Sequence, residues 1–321
     1  MKFILGALLT VFAFSLTGQT EADTLPKTKK WRLKAIYGLN GTQTSFVNWN
    51  AGGRNNISAL GLINAQANYK FKNIKWDNEL TVSLGGLQYL DDGQTAEETM
   101  FQKTDDRIEV SSNIGYRLTD DLNFSFIASF RTQMLDGFNY PNDSIRASKF
   151  MAPGYLNLGL GIDYTPSKNF TLFASPAAAK ITFVQDATLA DAGAFGVEAA
   201  TYDPVSGALI TPGQQIRYEV GSYIKMNYNR NLAENIDVKT KLELFSNYLE
   251  NPENIDVNAE VLWNFKINSW FSASLQWNLI YDDDIRIVDA QGNAGPRTQF
   301  KSVLGLGISY TMKNYTEDKK K

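Results

Sequence analysis

No cysteine and no histidine occur anywhere in this chain. Without cysteine there is no disulfide, no thiolate nucleophile and no lipoprotein-type export signal. Without histidine the Ser-His-Asp and Cys-His designs, His-ligated zinc and the usual general base are all excluded. Charge of one sign is also lacking: 31 basic residues face 34 acidic ones, for a net charge of −3. That is no basic footprint, so no nucleic-acid partner is expected. Mean hydropathy is −0.28. Beyond the first twenty-odd residues no apolar run approaches the roughly 18 residues of a membrane helix.

What is present is alternation. From Thr104 to Leu118, residues Ile108, Val110, Ile114, Tyr116 and Leu118 share one parity; Asp105, Arg107, Glu109, Ser111, Asn113 and Arg117 share the other. Successive strand side chains point to opposite faces, so this is a strand with one apolar and one charged face. Twelve segments read this way, beginning near Trp31, Ile57, Trp76, Thr104, Leu122, Leu156, Phe170, Ile216, Ile236, Ile255, Phe271 and Phe300. The seventh loses phase at Ala177–Ala179 beside Pro176, which predicts a bulge or break. Strands of about 11–13 residues, tilted ~40°, span roughly 28–33 Å, enough for a bilayer's apolar band. The predicted fold class is all-β: a single closed antiparallel transmembrane β-barrel of about twelve strands.

The links support this reading. Long ones (40–56, 85–103, 136–154, 185–214, 282–297) alternate with short ones (72–75, 119–121, 165–169, 229–235, 268–269), the pattern of long outer loops and short periplasmic turns. Link 250–254 falls on the long side but is short. Aromatic residues including Trp31, Tyr69, Trp76, Tyr116, Tyr164, Phe271 and Tyr310 recur at the short-turn ends, as in an interfacial girdle. Lys2 followed by the apolar stretch 3–16 predicts a Sec signal peptide over 1–22. Residues 23–30 then form a periplasmic segment, 31–312 the barrel and 313–321 a charged tail. The expected surroundings are outer-membrane lipid and lipopolysaccharide of a Gram-negative bacterium.

The segments GTQTSFVNWNAGGRNNISALG (41–61), WDN (76–78), KTDDRIEVSSNIGY (103–116), FRTQMLDGF (130–138), SKFMAPGYL (148–156), GIDYTP (161–166) and YDDD (281–284) resemble the domain of unknown function 3078 family. The resemblance implies an exported protein of Bacteroidetes-type bacteria and an outer-membrane barrel. It implies no activity, cofactor or site residue.

Inward-parity charges are the main functional clue. They include Asp77, Glu79, Asp105, Arg117, Lys225, Asp237, Glu243, Glu260 and Lys301. The sharpest candidates for a charged filter are Arg107, Glu109, Arg131, Arg217, Glu219, Lys239 and Lys241. The alternative is that such charges pair across neighbouring strands and hold the lumen shut. Twelve strands lie between barrels filled by side chains and open porins, so size does not decide. In the loop 41–56, Phe46, Trp49 and Arg54 are candidate binding residues. Asp282, Asp283 and Asp284 are a weak Ca²⁺ candidate, because hard cations take carboxylate oxygens; a solvated acidic rim explains them as well. Gly159-x-Gly161 and Gly305-x-Gly307 sit inside strands with no helix after them, so they are not phosphate loops. Small residues that ease barrel curvature fit better. The expectation is a narrow passive channel for a small polar solute, without cofactor. A non-conducting barrel that binds a protein or polysaccharide through loops 40–56 and 185–214 is the alternative. An enzyme working through an aspartate dyad or Ser-Lys pair is a remote third.

Overall fold

Residues 30–45, 55–90, 101–139, 144–288 and 293–315 are described by a computed structural model. The expected signal peptide, the candidates Phe46, Trp49 and Arg54, and most of the charged tail lie outside them.

The barrel strands are β1 (Trp31–Thr44), β2 (Asn56–Phe71), β3 (Ile74–Tyr89), β4 (Gln102–Arg117), β5 (Leu122–Thr132), β8 (Gly154–Ser167), β9 (Phe170–Phe183), β12 (Ile216–Ala233), β13 (Ile236–Asn247), β14 (Asp256–Lys266), β15 (Phe271–Tyr281) and β18 (Gln299–Lys313). All neighbours are antiparallel, and β1 closes on β18 through pairs such as Tyr37 with Tyr310. Closure matters because an unpaired edge cannot be satisfied in hydrocarbon. Several strands run past their predicted ends: Gly41–Thr44 pairs with Ser58 and its neighbours rather than opening a loop.

The alternation is as read. On β5, Asn123, Ser125, Ile127 and Ser129 are buried toward the lumen, while Phe124 and Phe126 are exposed on the outside. Exposed apolar residues such as Val110, Ile114, Leu160, Leu304 and Leu306 continue this outer belt. In water such a surface would be costly; against lipid it is the stable arrangement. At the short-turn end, Trp31 packs on Tyr69 and on Trp76, with ring centroids 5.1 and 5.6 Å away. The Trp76 indole N–H donates to Ser112 Oγ at 2.8 Å.

The predicted break in the seventh strand is a bulge. Register shifts between Ser175 and Ala178 against β12 and between Ala174 and Ala177 against β8. Proline has no N–H for the ladder, and the Ser175 hydroxyl bonds the Leu160 and Ala177 carbonyls at 2.9 and 2.8 Å. The bulge reverses parity, so Lys180 and Thr182 face inward with Phe173 and Ser175. Close approach requires glycine at several strand positions, Gly161 and Gly307 among them. A Cβ on Gly161 would lie 2.0 Å from the Ala174 carbonyl, and one on Gly307 would lie 2.1 Å from the Leu39 carbonyl at the closing seam.

Long links hold three small hairpins: β6 (Gly137–Phe138) with β7 (Arg146–Ser148), β10 (Thr201–Tyr202) with β11 (Leu209–Thr211), and β16 (Arg286–Val288) with β17 (Ala294–Pro296). The link after β9 also forms a short helix, α1 (Ala187–Asp191). Asp186 caps it by accepting from the Leu189 N–H at 3.1 Å. Ala152, Val184, Leu189, Ala190 and Val197 form a small core beneath this loop. No simple alternation announces these elements.

Candidate functional site: the barrel lumen

The lumen is crossed at mid-height by a belt of ion pairs. Arg107 on β4 bonds Glu260 on β14 at 2.7 Å. In the ring these strands are six places apart in either direction, so the pair bridges opposite walls. Twelve strands about 4.8 Å apart and tilted ~40° would close a circle roughly 24 Å across. An extended arginine and glutamate, built of bonds of about 1.5 Å, bridge roughly 15 Å between Cα atoms. The ring is therefore drawn in along this diameter. Lys241 on β13 bonds Glu109 on β4, five places away, and stands 3.3 Å from Glu243. Glu243 also accepts from the Tyr223 hydroxyl at 2.7 Å and from Asn258 at 2.8 Å.

The alternative to a charged filter is pairing across neighbouring strands; Lys225 with Glu243 at 3.7 Å is such a pair, whereas Arg107–Glu260 and Lys241–Glu109 join strands six and five places apart. Same-strand pairs also exist: Arg107 with Glu109 at 3.9 Å, Arg217 with Glu219 at 3.7 Å, Lys241 with Glu243 at 3.3 Å and Lys75 with Asp77 at 3.0 Å. Arg107–Glu260 and Lys241–Glu109 are shorter and run across the lumen. Beside the belt, Ile127, Phe173, Ala178, Tyr223 and Phe245 pack into a small apolar core on one side of the interior.

On the long-loop side of the belt lies a cavity of about 710 Å³. Arg131 points into it, with its guanidinium 5.4 Å from the centre of the Tyr155 ring. Lys301 bonds Asp105 at 2.5 Å, and Asp105 also accepts from Ser83 at 2.7 Å. Lys180 bonds Asp256 at 2.6 Å and Asp282 at 3.0 Å. The three consecutive aspartates do not converge. Asp282 takes Lys180, Asp283 takes the Asn254 amide at 2.6 Å, and Asp284 takes Arg217 at 2.6 Å. The acids that do converge are Asp256, Asp282 and Asp283, and the Lys180 ammonium stands where a cation bridging Asp256 and Asp282 would sit. Burial pushes the Asp284 carboxyl above its ordinary value, against the pull of Arg217.

Arg217 further donates to the Gly196 carbonyl at 2.9 Å, tying the loop after α1 to the barrel mouth. Asp186 adds a second tie through Arg146 at 2.8 Å and Lys149 at 3.1 Å. Although burial works against it, the bond from the Leu189 N–H and these two cations hold the Asp186 carboxyl below its ordinary range. On the short-turn side, Lys75 pairs with Asp77 at 3.0 Å and Asp163 at 3.6 Å. Lys239 opens into this lower part and has no ion pair among the described residues. A smaller cavity of about 320 Å³ there has five basic residues in its lining, Lys70, Lys72, Lys75, Arg117 and Lys168, and one acid, Asp120.

Parity thus placed Arg107, Glu109, Arg131, Arg217, Glu219, Lys239 and Lys241 on the lumen wall, where they are found. It missed Lys180, whose phase the bulge reverses, and Tyr155 and Tyr223. The break beside Pro176 was the available signal for Lys180.

Fold and lumen together define a closed antiparallel transmembrane β-barrel with a charged interior. The family described as "Protein of unknown function (DUF3078)" matches residues 42–138. This is the family the motifs resemble, although the resemblance extends to motifs beyond that segment. No curated protein matches the chain. Among solved structures, the COG4313 outer membrane channel from Pseudomonas putida F1 is 12% identical, with 91% of this chain and 100% of that chain covered and a TM-score of 0.38. The translocator domain of the autotransporter NalP from Neisseria meningitidis is 9% identical, with 95% and 94% covered and a TM-score of 0.35. The toluene transporter TodX of P. putida is 10% identical, with 89% and 90% covered and a TM-score of 0.30.

Proposed function

We propose that this barrel sits in a bacterial outer membrane and passes a small polar solute by diffusion. One observation carries the reading: among the described residues, the barrier at mid-height is made of wall side chains, Arg107, Glu109, Lys241 and Glu260. Side-chain rotamers exchange quickly compared with a folded plug. Ion pairs in contact with water exchange partners at small net cost. The cavity above the belt and the basic mouth below it are the two ends of such a path. The drawn-in ring admits only small solutes. Purified barrel in planar bilayers is expected to give discrete, small conductance steps. A correctly folded barrel that stays silent under applied voltage overturns the channel.

A second reading, a non-conducting barrel that binds a partner through its loops, is favoured by the β10–β11 hairpin. It carries Tyr202, Val205, Leu209 and Ile210 exposed on a loop that the Asp186 and Arg217 contacts hold in place. Exposed apolar patches on an ordered loop mark interaction surfaces. Under that reading, replacing residues 201–211 abolishes the phenotype, while variants at Arg107 and Glu260 leave it intact.

A further inference from the structure

The large cavity has two electrical poles, and they lie on different walls. Around the belt, the cations Arg107, Arg131, Lys225 and Lys241 face the carboxylates Glu109, Glu243 and Glu260, which leaves one positive charge over. The surplus is Arg131. Its neighbours' acids are taken: Glu109 by Lys241, and Glu243 by Lys241, Lys225, Tyr223 and Asn258. The Arg131 side chain has no hydrogen bond or ion pair among the described residues, only the face of Tyr155. An arginine side chain offers five donors in a fork that matches a carboxylate. Leaving such a group without an anion in a narrow interior is unfavourable.

The opposite imbalance stands on the β14 side, five strands away in the ring. There the Lys180 ammonium is shared by Asp256, Asp282 and Glu219, and Arg217, 3.7 Å from Glu219, is itself shared with Asp284 and Glu250. Arg131, Tyr155, Asp256 and Asp282 all line the same cavity, and Asn157 and Gln276 add amides to its lining. Amides both donate and accept, as peptide groups require.

We propose that this cavity binds a small zwitterion of the amino-acid or short-peptide class. Its carboxylate lies on Arg131, and its ammonium lies beside Lys180 against the acidic cluster of Asp256, Asp282 and Glu219, whose charge Lys180 alone does not balance. A simple anion would satisfy Arg131 but meet the acidic wall; a simple cation would do the reverse. A dipolar solute compensates both. A tripeptide extends over roughly 10 Å, and a cavity of about 710 Å³ accommodates it. The inference rests on the channel reading only in that the same cavity serves as its entrance.

The test is equilibrium dialysis of triglycine against the refolded barrel in detergent, with N-acetyl-triglycine, triglycinamide and glycerol as comparisons. Triglycine is expected to bind at least about ten-fold more tightly than either blocked form, and glycerol not at all. Arg131→Gln should abolish the preference for triglycine over triglycinamide, and Arg131→Lys should restore part of it. Asp256→Asn should abolish the preference over the N-acetyl form. Heat-modifiable gel mobility reports that each variant is folded; should Arg131→Gln not fold, Arg131→Lys carries the comparison. N-acetyl-triglycine binding as well as triglycine overturns the proposal, as does unchanged binding to a folded Arg131 variant. Because dialysis requires no conduction, binding by a barrel silent in bilayers removes the channel alone. Conduction without triglycine binding removes this inference alone.

Discussion

Glu260→Gln tests the cross-lumen belt most directly. The change keeps the shape of the side chain and removes its charge. At the 2.7 Å contact, unit charges attract by roughly 6 kcal/mol in an effective dielectric of about 20. Most of that is offset by the desolvation of both groups. The two side chains keep 20% and 21% of their surface exposed, so the pair lies between a buried bridge and a surface one. Breaking a buried pair costs about 3–5 kcal/mol and a surface pair about 0–1. The variant should therefore lose about 2 kcal/mol. Glu109, 3.9 Å from Arg107, and Asn278, which donates to Glu260 at 3.1 Å, each cushion part of the loss. Urea unfolding in detergent, followed by tryptophan fluorescence, measures it. A double-mutant cycle with Arg107→Gln isolates the pair and should give a coupling above about 1 kcal/mol. The same variant frees Arg107 from the far wall and should raise single-channel conductance. A coupling within about 0.3 kcal/mol of zero, with unchanged conductance, refutes the belt.

Three further outcomes follow from the same geometry. Val110→Arg places a charge on the lipid face of β4 and should cost about 2–4 kcal/mol near the bilayer midplane, whereas Ser111→Arg on the lumen face should cost much less; insertion yields into lipid vesicles separate them. Asp186→Asn keeps a capping residue but loses the bonds to Arg146 and Lys149, so loop 185–214 should be cut faster in limited proteolysis, while Asp186→Ala also loses the cap, for about 1 kcal/mol more. Because the folded Asp186 carboxyl lies below its ordinary value of 3.8, its contribution is complete above that value. It is lost as pH falls through the lower folded one, so amide exchange in α1 should accelerate only at strongly acidic pH.

Strand positions and facings were readable because alternation with period two is a local property, carried by each segment without its partners. That is why Thr104–Leu118 and Phe271–Tyr281 were placed within a few residues, and why Arg107 and Lys241 were assigned to the interior. Lys180 escaped because one extra residue at Pro176 turns the strand over, and local parity cannot be carried across a bulge. The hairpins and helix of the long loops escaped because their contacts, such as Asp186 with Arg146, carry no period.

By itself, then, the amino-acid order determined which side chains meet lipid and which meet the lumen. Only the tertiary structure decided which inward charges meet one another. Arg107 and Glu260 are 153 positions apart, and they touch because twelve strands close at one stagger and draw in along one diameter. Stagger and closure are properties of the whole ring, so no single strand contains them.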